Sequence, residues 1–507
     1  MKRILLLFLF NSFGFISFGQ GVNNLWLMGY GSWAGPPFGG INMDFTGSVL
    51  NINYQTRLMN FNCTNGEICD RNGNLLFSSN GIWVSNSNND TMVNGGRGFN
   101  PGYFTTSKDS FGLTIPQANL IIPFPDDTNK YYLFHETCDD YGNTYCTLYL
   151  YYSVIDMALD NGLGTVTQKN VILLNDSLVE GRLTTCKHAN GRDWWLVTHQ
   201  NNTNKYYKFL ITPSGIHGPY TQNIGVVRDN WGQAVFSPDG TMYAYFAYFL
   251  ANSFPGTANI GDLDIFNFDR CTGNFTYKAH VAVTDTAIAG GVAFSSNSNV
   301  LYVSSSNYVW QFDMNAGNIP ASQTIVAAWD RFMIPSGFYT TFYLSELAPD
   351  GKIYINTSEG TDRLHVINYP DSVGFGCNVC QHCIQLPAYN FFTMANHPNF
   401  FLGAESGSIC DSLTSVSYLQ SENGNQLKVF PNPVTDNQEI TFTYPSTGEN
   451  SSIIINNIDG EEIVHYVLPQ WSSVQHVRLP EISSGIYLAR RISEHISVNV
   501  KFLVEKN

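Results

Sequence analysis

The sequence Val235-Phe-Ser-Pro-Asp-Gly-Thr-Met-Tyr-Ala-Tyr-Phe246 shows most clearly a pattern that recurs through most of this chain. It joins an apolar stretch to an aromatic stretch through a short polar turn. Proline presets the backbone of the turn and Asp-Gly tolerates positive φ, so this sequence predicts a β-hairpin. Five further stretches have the same three parts: Ile68–Phe77, Ile121–Phe134, Thr185–Val197, Ala293–Val303 and Glu346–Ile355.

The six stretches recur at a nearly constant spacing. Their first residues are 53, 64, 50, 58 and 53 positions apart, which is the length of one four-stranded sheet with long loops. Outer strands are expected downstream of the hairpins, at Asp262–Phe268, Tyr308–Phe312 and Arg363–Ile367. Such small sheets have two apolar faces, and stacking them in a circle buries every face.

We therefore predict an all-β fold in which residues 21–403 form a six- or seven-bladed β-propeller. Seven blades are favoured because residues 24–60 contain strands for one more sheet. Two or three tandem sandwich domains are the alternative, but we find no Pro- or Ser-rich linker before residue 404.

Composition agrees with an all-β interpretation. The 507 residues are 43% hydrophobic and 14% aromatic but only 13% charged, and strands favour aromatic and β-branched residues. The net charge is −15, so the chain repels nucleic acid and anionic membranes.

The N-terminal twenty residues predict a signal peptide. Lys2 and Arg3 precede an apolar run, Ile4–Phe10, that resumes at Phe13–Phe18 and ends in small residues. No later segment is apolar over about 18 residues, so we expect no transmembrane segment in the mature chain.

The C-terminal region has a separate character. Residues 404–426 are polar and small, which predicts a linker, and about seven short strands follow in residues 427–507. That number and spacing of strands is typical of an immunoglobulin-like β-sandwich. An accessory module such as a carbohydrate-binding sandwich is the alternative to a sorting function.

Several ordered motifs in this region resemble a known family. Val429-Phe-Pro-Asn-Pro-Val434, Ile458-Asp-Gly460, Ser484-Gly-Ile-Tyr-Leu488 and Lys501-Phe-Leu-Val-Glu-Lys506 resemble the type A C-terminal sorting domain of the type IX secretion pathway of Bacteroidota. The resemblance implies recognition by the type IX secretion machinery after Sec export, removal of the tag, and release from or attachment to the cell surface.

The larger region is similar to uncharacterised secreted propeller-like proteins that carry the same tag. The similarity rests on Asp70–Phe77, Phe268–Gly273, Leu347–Ile355 and Pro398–Gly403. It implies architecture and export but no activity.

Cysteines predict disulfides in an exported chain. The sequence has ten, and the close pairs Cys63/Cys69 and Cys138/Cys146 are each expected to join a local loop. Cys377, Cys380 and Cys383 have a spacing that zinc tolerates, but the oxidising compartment favours disulfides there too.

No linear motif identifies a catalytic residue or a cofactor. The sequence lacks Gly-x-Ser-x-Gly and His-Glu-x-x-His motifs, so we predict none. Asn86–Asp90 and Gly261–Asp264 offer the oxygen ligands of calcium without EF-hand spacing, which leaves calcium open although turn chemistry explains both.

Channel-mouth residues are the candidate binding site. Polar or aromatic residues at the start of the hairpins are expected at the entrance of a central channel: Glu180, Arg182, Arg228, Trp231 and Glu346. The alternative is that they hydrogen-bond loops and neighbouring blades.

The sequence leaves two classes of function open. The first is a secreted or surface-displayed binding module for an extracellular protein or glycan. The second is a propeller hydrolase or lactonase-like enzyme with its site at the channel mouth.

Processing can be tested directly. Protein from the culture supernatant should lack residues 1–20 and the tail beyond about residue 427, because both are export signals. Intact-mass measurement checks this, and a full-length secreted product would contradict the sorting-tag interpretation.

Overall fold

The computed structural model describes residues 21–505 apart from 48, 109–110, 142–143, 229–231, 249–258, 286–289, 412–426, 436–438, 447–449, 459 and 494–496. The predicted signal peptide and most of the predicted linker lie outside these residues. The chain divides into two compact units, of which the first ends at Asp411 and the second begins at Ser412. None of the described helices has the length and hydrophobicity needed to cross a bilayer.

Seven antiparallel sheets make up the described part of the first unit, and in each sheet neighbouring strands are consecutive in the chain apart from one short side strand. Sheet 1 contains β1 (Leu25–Tyr30), β2 (Gly39–Asp44) and β3 (Asn51–Gln55). Sheet 2 contains β4 (Gly66–Cys69), β5 (Leu75–Ser79) and β6 (Val84–Asn86). Sheet 3 contains β7 (Asn119–Phe124), β8 (Asp127–Glu136), β10 (Thr144–Asp156) and β11 (Thr165–Leu178), with β9 (Asp139–Tyr141) paired to β10.

The four remaining sheets have four strands each. Sheet 4 contains β12 (Thr184–Lys187), β13 (Trp194–His199), β14 (Thr203–Thr212) and β15 (Gly215–Arg228). Sheet 5 contains β16 (Gly232–Phe236), β17 (Met242–Tyr248), β18 (Asn259–Asp269) and β19 (Asn274–Asp285). Sheet 6 contains β20 (Gly290–Phe294), β21 (Val300–Ser305), β22 (Tyr308–Asp313) and β23 (Thr324–Ala328). Sheet 7 contains β24 (Phe342–Leu347), β25 (Ile353–Thr357), β26 (Thr361–Ile367) and β27 (Val379–Asn390).

Helices are short in the described residues. The α-helix α1 spans Tyr103–Ser107, and single 3₁₀ turns span Gly21–Asn23, Ser32–Ala34, Asp160–Gly162, Pro320–Ser322 and Gly374–Cys377.

Each of the six sequence stretches forms the hairpin between the first two strands of a sheet, as predicted. The turn at Pro238 shows why. Ser237 accepts a hydrogen bond from Met242 through its side-chain oxygen, at 2.9 Å, and Asp239 Oδ1 accepts one from the Thr241 amide at 3.0 Å. Gly240 has φ +73°, a backbone conformation that favours glycine. A Cβ at this position would also lie only 2.7 Å from the Leu402 side chain, so the position has no room for a larger residue.

First strands of consecutive sheets lie beside one another: β1, β4 and β7 in one run, and β12, β16, β20 and β24 in another. Gln233 ties three of them together. Its Nε2 donates to the Ser345 carbonyl at 2.7 Å, and its Oε1 accepts from the amides of Val292 and Ser345 at 3.0 and 3.1 Å. Each first strand is an edge strand, so half of its backbone groups have no partner within its own sheet. Where these groups are buried, a side chain such as that of Gln233 must bond them.

Apolar clusters fill the space between neighbouring sheets. Ile68 and Phe77 of sheet 2 pack with Leu133 of sheet 3, and the equivalent spaces up to sheet 7 are filled in the same way. Sheet 7 also packs on sheet 1: β27 contacts all three strands of sheet 1, and the rings of Trp26 and Tyr354 lie 5.9 Å apart. The sheets therefore cover one another's apolar faces from first to last and back to the first.

Disulfides differ from those predicted. Cys271 bonds Cys410 across 139 residues, and Cys380 bonds Cys383. Cys63 and Cys69 are buried thiols, so their predicted pairing is wrong. Each is buried in the apolar interior, where a thiol behaves as a small hydrophobic side chain. The side chain of Cys146 lies outside the described residues, so the second predicted pair stays a prediction.

The second unit consists of two sheets that share one apolar core. One sheet contains β28 (Lys428–Phe430), β30 (Glu439–Thr443) and β33 (Val474–Arg478). The other contains β29 (Val434–Thr435), β31 (Ser451–Asn456), β32 (Glu462–Leu468), β34 (Gly485–Ile492) and β35 (Ser497–Glu505). The ring centres of Phe442 in the first sheet and Phe502 in the second lie 6.3 Å apart in this core.

The two disulfides should contribute unequally to stability. The bond between Cys271 and Cys410 spans 139 residues and restricts the unfolded chain far more than the bond between Cys380 and Cys383, which spans 3. Replacing both members of the long-range pair by serine should lower the free energy of unfolding of the first unit by about 4–5 kcal/mol, against roughly 2 for the short pair. Urea unfolding of the two double variants checks this, and equal losses would contradict it.

Candidate functional site

A cavity of about 540 Å³ opens where the first strands of four sheets end. Its wall comes from these strands, from the turns after them and from the chain segment that follows sheet 7. The lining residues used below are Asn23, Thr185, Lys187, Phe236, Phe294, Glu346, Asn396, His397 and Phe401.

Amide side chains hold the segment after sheet 7 in the centre of the first unit. Asn396 donates to the carbonyls of Asn119 and Leu183 at 2.9 and 3.1 Å and accepts from Gln117 at 3.0 Å. Gln117 in turn accepts from the Ala234 amide at 2.8 Å. Asn396 thus satisfies the carbonyl of Asn119 in sheet 3 and that of Leu183 just before sheet 4, and Gln117 extends the network to sheet 5.

The far end of the same segment is tied down as well. Arg270 donates to the Gly403 carbonyl at 2.5 Å, and the neighbouring Cys271 carries the disulfide to Cys410. Asn399 donates to the Pro238 carbonyl at 2.7 Å. The cavity wall is therefore anchored on both sides.

Two buried carboxyl groups and one imidazole meet at the floor. The His397 backbone amide hydrogen-bonds the Glu346 carboxyl, and His397 Nε2 lies 3.1 Å from the Glu67 carbonyl oxygen. Burial raises the pKa of Glu346 well above its ordinary range and that of Glu67 to about 8, while burial lowers the pKa of His397 to about 4. Glu67 and His397 are therefore mainly uncharged at neutral pH, and burial favours the uncharged form of Glu346 as well.

Lys187 is the charged group of the wall, and its ammonium already has partners. Burial lowers its pKa to about 8, so it is protonated at neutral pH. Its Nζ lies 3.9 Å from the centre of the Trp194 ring and donates to the Arg192 carbonyl at 3.2 Å.

Three polar atoms of the wall are buried without a hydrogen-bond partner: Thr185 Oγ1, Asn23 Oδ1 and His397 Nδ1. Because His397 Nε2 faces a carbonyl oxygen, it carries the proton, and Nδ1 is an acceptor. Three residues that line the cavity thus hold two unused acceptors and one unused hydroxyl, and all three atoms are covered by the protein in this structure.

The five sequence-predicted site residues do not form one site. Glu346 lines the cavity. Glu180 and Arg182 lie just before β12, at its other end, and Trp231 lies outside the described residues. Arg228 joins sheet 4 to sheet 5 instead, through hydrogen bonds to both oxygens of Asp264 at 2.6 and 3.1 Å.

Sequence reasoning did not single out Thr185, Asn396 or His397. Thr185 was part of a predicted strand, and His397 directly precedes the Pro398–Gly403 run that carried a family resemblance. No pattern in the sequence brings residue 397 to the centre of seven sheets. In the described part of the chain, no three His, Cys, Asp or Glu side chains are grouped so that they hold a metal ion.

Glu67 should make stability depend on pH. Its pKa in the fold is raised, so its contribution is present below about pH 4.5 and is lost as the pH rises through about 8. Wild-type protein should therefore lose more stability than Glu67→Gln between pH 6 and 8, by up to about 1.4 kcal/mol per pH unit. Urea unfolding of both proteins at several pH values measures the difference. Parallel slopes for Glu67→Gln and wild type would contradict the prediction.

Solved structures with some likeness to the chain include propeller proteins. PorZ, an essential bacterial surface component of the type-IX secretion system of Porphyromonas gingivalis, is 12% identical with a TM-score of 0.32, and the match covers 92% of this chain and 63% of PorZ. The Dos1 propeller is 11% identical with a TM-score of 0.37, covering 69% and 78%. The periplasmic gluconolactonase PpgL of Pseudomonas aeruginosa is 10% identical with a TM-score of 0.38, covering 73% and 98%. Likeness at this level assigns no chemistry to this chain.

The C-terminal region has a definite family. No curated protein matches the sequence. Residues 428–505 match the secretion system C-terminal sorting domain, over the strands of the second unit. This chain therefore carries a type IX C-terminal sorting domain and is a protein exported to the cell surface or the extracellular space.

Proposed function

We propose that this protein is a secreted or surface-displayed binding module whose ligand, a neutral saccharide, occupies the cavity at the ends of the first strands. The observation that carries the proposal is the cavity of about 540 Å³, three of whose lining residues each hold a buried polar atom without a hydrogen-bond partner. A buried polar group without a partner costs about 1–3 kcal/mol, and a ligand that pairs with it recovers that cost.

Architecture supports this proposal. We infer a seven-bladed β-propeller for residues 21–403 and an immunoglobulin-like sandwich for residues 427–507, with residues 404–426 as the linker between them and residues 1–20 as the signal peptide. The seven consecutive sheets and the packing of sheet 7 on sheet 1 support the blade number. The bond from Cys271 to Cys410 ties the start of the linker to the propeller.

The wall chemistry favours hydroxyl groups on the ligand. Two of the unused atoms, Asn23 Oδ1 and His397 Nδ1, accept hydrogen bonds, so the ligand must donate them. Phe236, Phe294 and Phe401 add apolar surface of the kind that packs on the C–H faces of sugar rings. A volume of about 540 Å³ is in the range of small-molecule sites.

Charge favours a neutral ligand. Glu67 and His397 are mainly uncharged at neutral pH, and burial favours the uncharged form of Glu346. The Lys187 ammonium already contacts the Trp194 ring and the Arg192 carbonyl. An ion in the cavity would lose its hydration without gaining an opposite charge.

Thr185→Val tests the site. The variant removes the unpartnered hydroxyl and keeps the shape, so the free energy of unfolding should stay equal or rise. Affinity for a saccharide identified on a glycan array with the full chain should fall about 5- to 100-fold, measured by calorimetry.

Thr198→Val is a matched control. Thr198 is on the neighbouring strand β13, and its hydroxyl is also buried without a partner, but it does not line the cavity. Its variant should change stability in the same direction and leave affinity unchanged. An array without any bound saccharide, or equal loss of affinity in both variants, would overturn the proposal.

A further inference from the structure

We propose that the bond between Cys380 and Cys383 is a thiol–disulfide exchange site: external thiols open it, and in its closed state it holds the first part of the loop of residues 329–341. The two cysteines lie on β27, the last strand of sheet 7. The saccharide cavity is lined by other residues, so this proposal does not depend on it.

The disulfide spans a bulge in β27. Between the pairs Leu364–Ile384 and Val366–Cys380, β26 advances by two residues and β27 by four. β27 therefore has two more residues here than the strand it pairs with. The bond from Cys380 to Cys383 crosses this bulge and encloses two residues.

Backbone geometry inside the disulfide ring is unfavourable. His382, one of the two enclosed residues, has φ +42°, in the left-handed region that residues other than glycine rarely adopt. Such a conformation persists where the surrounding structure holds it in place, and the covalent ring does so here. Opening the ring therefore lets the bulge change its backbone conformation.

The side chains of the two enclosed residues hold the loop between sheets 6 and 7. Gln381 Nε2 donates to the Ala328 carbonyl at 2.8 Å, and Gln381 Oε1 accepts from the Asp330 amide at 3.1 Å. His382 Nε2 lies 2.8 Å from a carboxylate oxygen of Asp330, and its ring stacks on Phe332 with the ring centres 4.1 Å apart. The position of the loop thus depends on the shape of the bulge.

The loop carries apolar side chains at the surface. Those exposed in the closed state are Met333, Phe338 and Tyr339. The far part of the loop has anchors of its own, because the Tyr339 amide donates to Glu359 and the Tyr389 hydroxyl donates to Ser336. Opening the disulfide should therefore loosen residues 329–335 and change the shape of this apolar surface without unfolding the whole loop.

Exposure makes this disulfide the more reactive of the two in the described part of the chain. Cys383 is exposed and Cys380 half-buried, whereas Cys271 and Cys410 are both half-buried. Exchange requires a thiolate to reach a sulfur atom, so exposed disulfides are the ones that open and close readily. After opening, the two thiols remain 3 positions apart in the chain, which favours closure of the same bond.

The chemistry balances with two thiols as the reductant. The thiolate of the first attacks the Cys383 sulfur, so a mixed disulfide forms, the bond to Cys380 breaks, and Cys380 leaves as a thiolate. The second thiolate attacks the external sulfur of the mixed disulfide and displaces Cys383. The protein gains two electrons and, from the two thiols, two protons, and the thiols become one disulfide. Closure runs the same steps in reverse with an external disulfide as the oxidant.

The first measurement follows the opening of each disulfide in the purified full chain. Reduced glutathione, a small thiol, and reduced thioredoxin, a protein dithiol, are the two probes, and the faster one identifies the class of the partner. Samples are alkylated at intervals, and mass spectrometry gives the reduced fraction of each cysteine. We expect the bond between Cys380 and Cys383 to open about tenfold or more faster than that between Cys271 and Cys410, and to re-form when oxidised glutathione is added.

The second measurement is hydrogen exchange at the amides of residues 329–335. Exchange there should be about threefold or more faster in the opened protein and in the double variant Cys380→Ser, Cys383→Ser. Gln381→Ala should also speed this exchange while the disulfide stays closed, because it removes both hydrogen bonds to the loop.

Gln385→Ala is the matched control. Gln385 is on the same strand, but its amide donates to Asp362 and to the Leu386 carbonyl instead of the loop. Its variant should leave the exchange of residues 329–335 at the wild-type rate. If the double serine variant does not fold, the opened and reclosed wild-type protein supplies the same comparison.

Three outcomes would overturn the proposal. The first is that neither probe opens the bond between Cys380 and Cys383, or that both disulfides open at the same rate. The second is that residues 329–335 exchange equally fast in the opened and closed proteins. The third is that Gln381→Ala and Gln385→Ala change this exchange equally.

Discussion

The structure depends on one constraint: every small sheet of the first unit has two apolar faces, and both must be covered by neighbouring sheets. Clusters such as Ile68 with Leu133, and Trp26 with Tyr354, meet this need between successive sheets and between the last sheet and the first. Covering faces in this way brings the first strands together, and their backbone amides then need partners away from water. Gln233, Gln117 and Asn396 supply those partners.

Amides are suited to this position because each carries a donor and an acceptor without a net charge. Titratable side chains near the centre lose their hydration on burial. Burial therefore shifts their pKa values in the direction that favours the uncharged form, as at Glu346, Glu67 and His397. Arg182 is 4% exposed, and its Nε and Nη2 make no hydrogen bond. The two ends of the first strands therefore differ chemically: one has uncharged hydrogen-bonding groups, and the other has an unpaired cation.

Part of this organisation was predictable. The Pro-Asp-Gly and Asn-Gly turns predicted the hairpins because their backbone preferences are local, and the strands of the second unit followed from alternation and turn residues in the same way. Glu346 was expected just before a first strand, but it lies near the end of β24, where it lines the cavity. Proximity in the sequence wrongly predicted a bond between Cys63 and Cys69, because both thiols are free and buried, and Cys63 packs among apolar side chains.

Residues close together in the chain were enough to predict the C-terminal sorting domain, the all-β class and the recurrence of hairpins, because turn chemistry, strand alternation and short motifs are local. Which buried polar groups have hydrogen-bond partners could be seen only in the tertiary structure. Thr185, Asn23 and His397 are far apart in sequence, and whether their side chains meet water, protein or a cavity depends on how seven sheets pack. The same holds for Arg182: hydrogen-bond satisfaction and desolvation are sums over all neighbours in space, which no local pattern records.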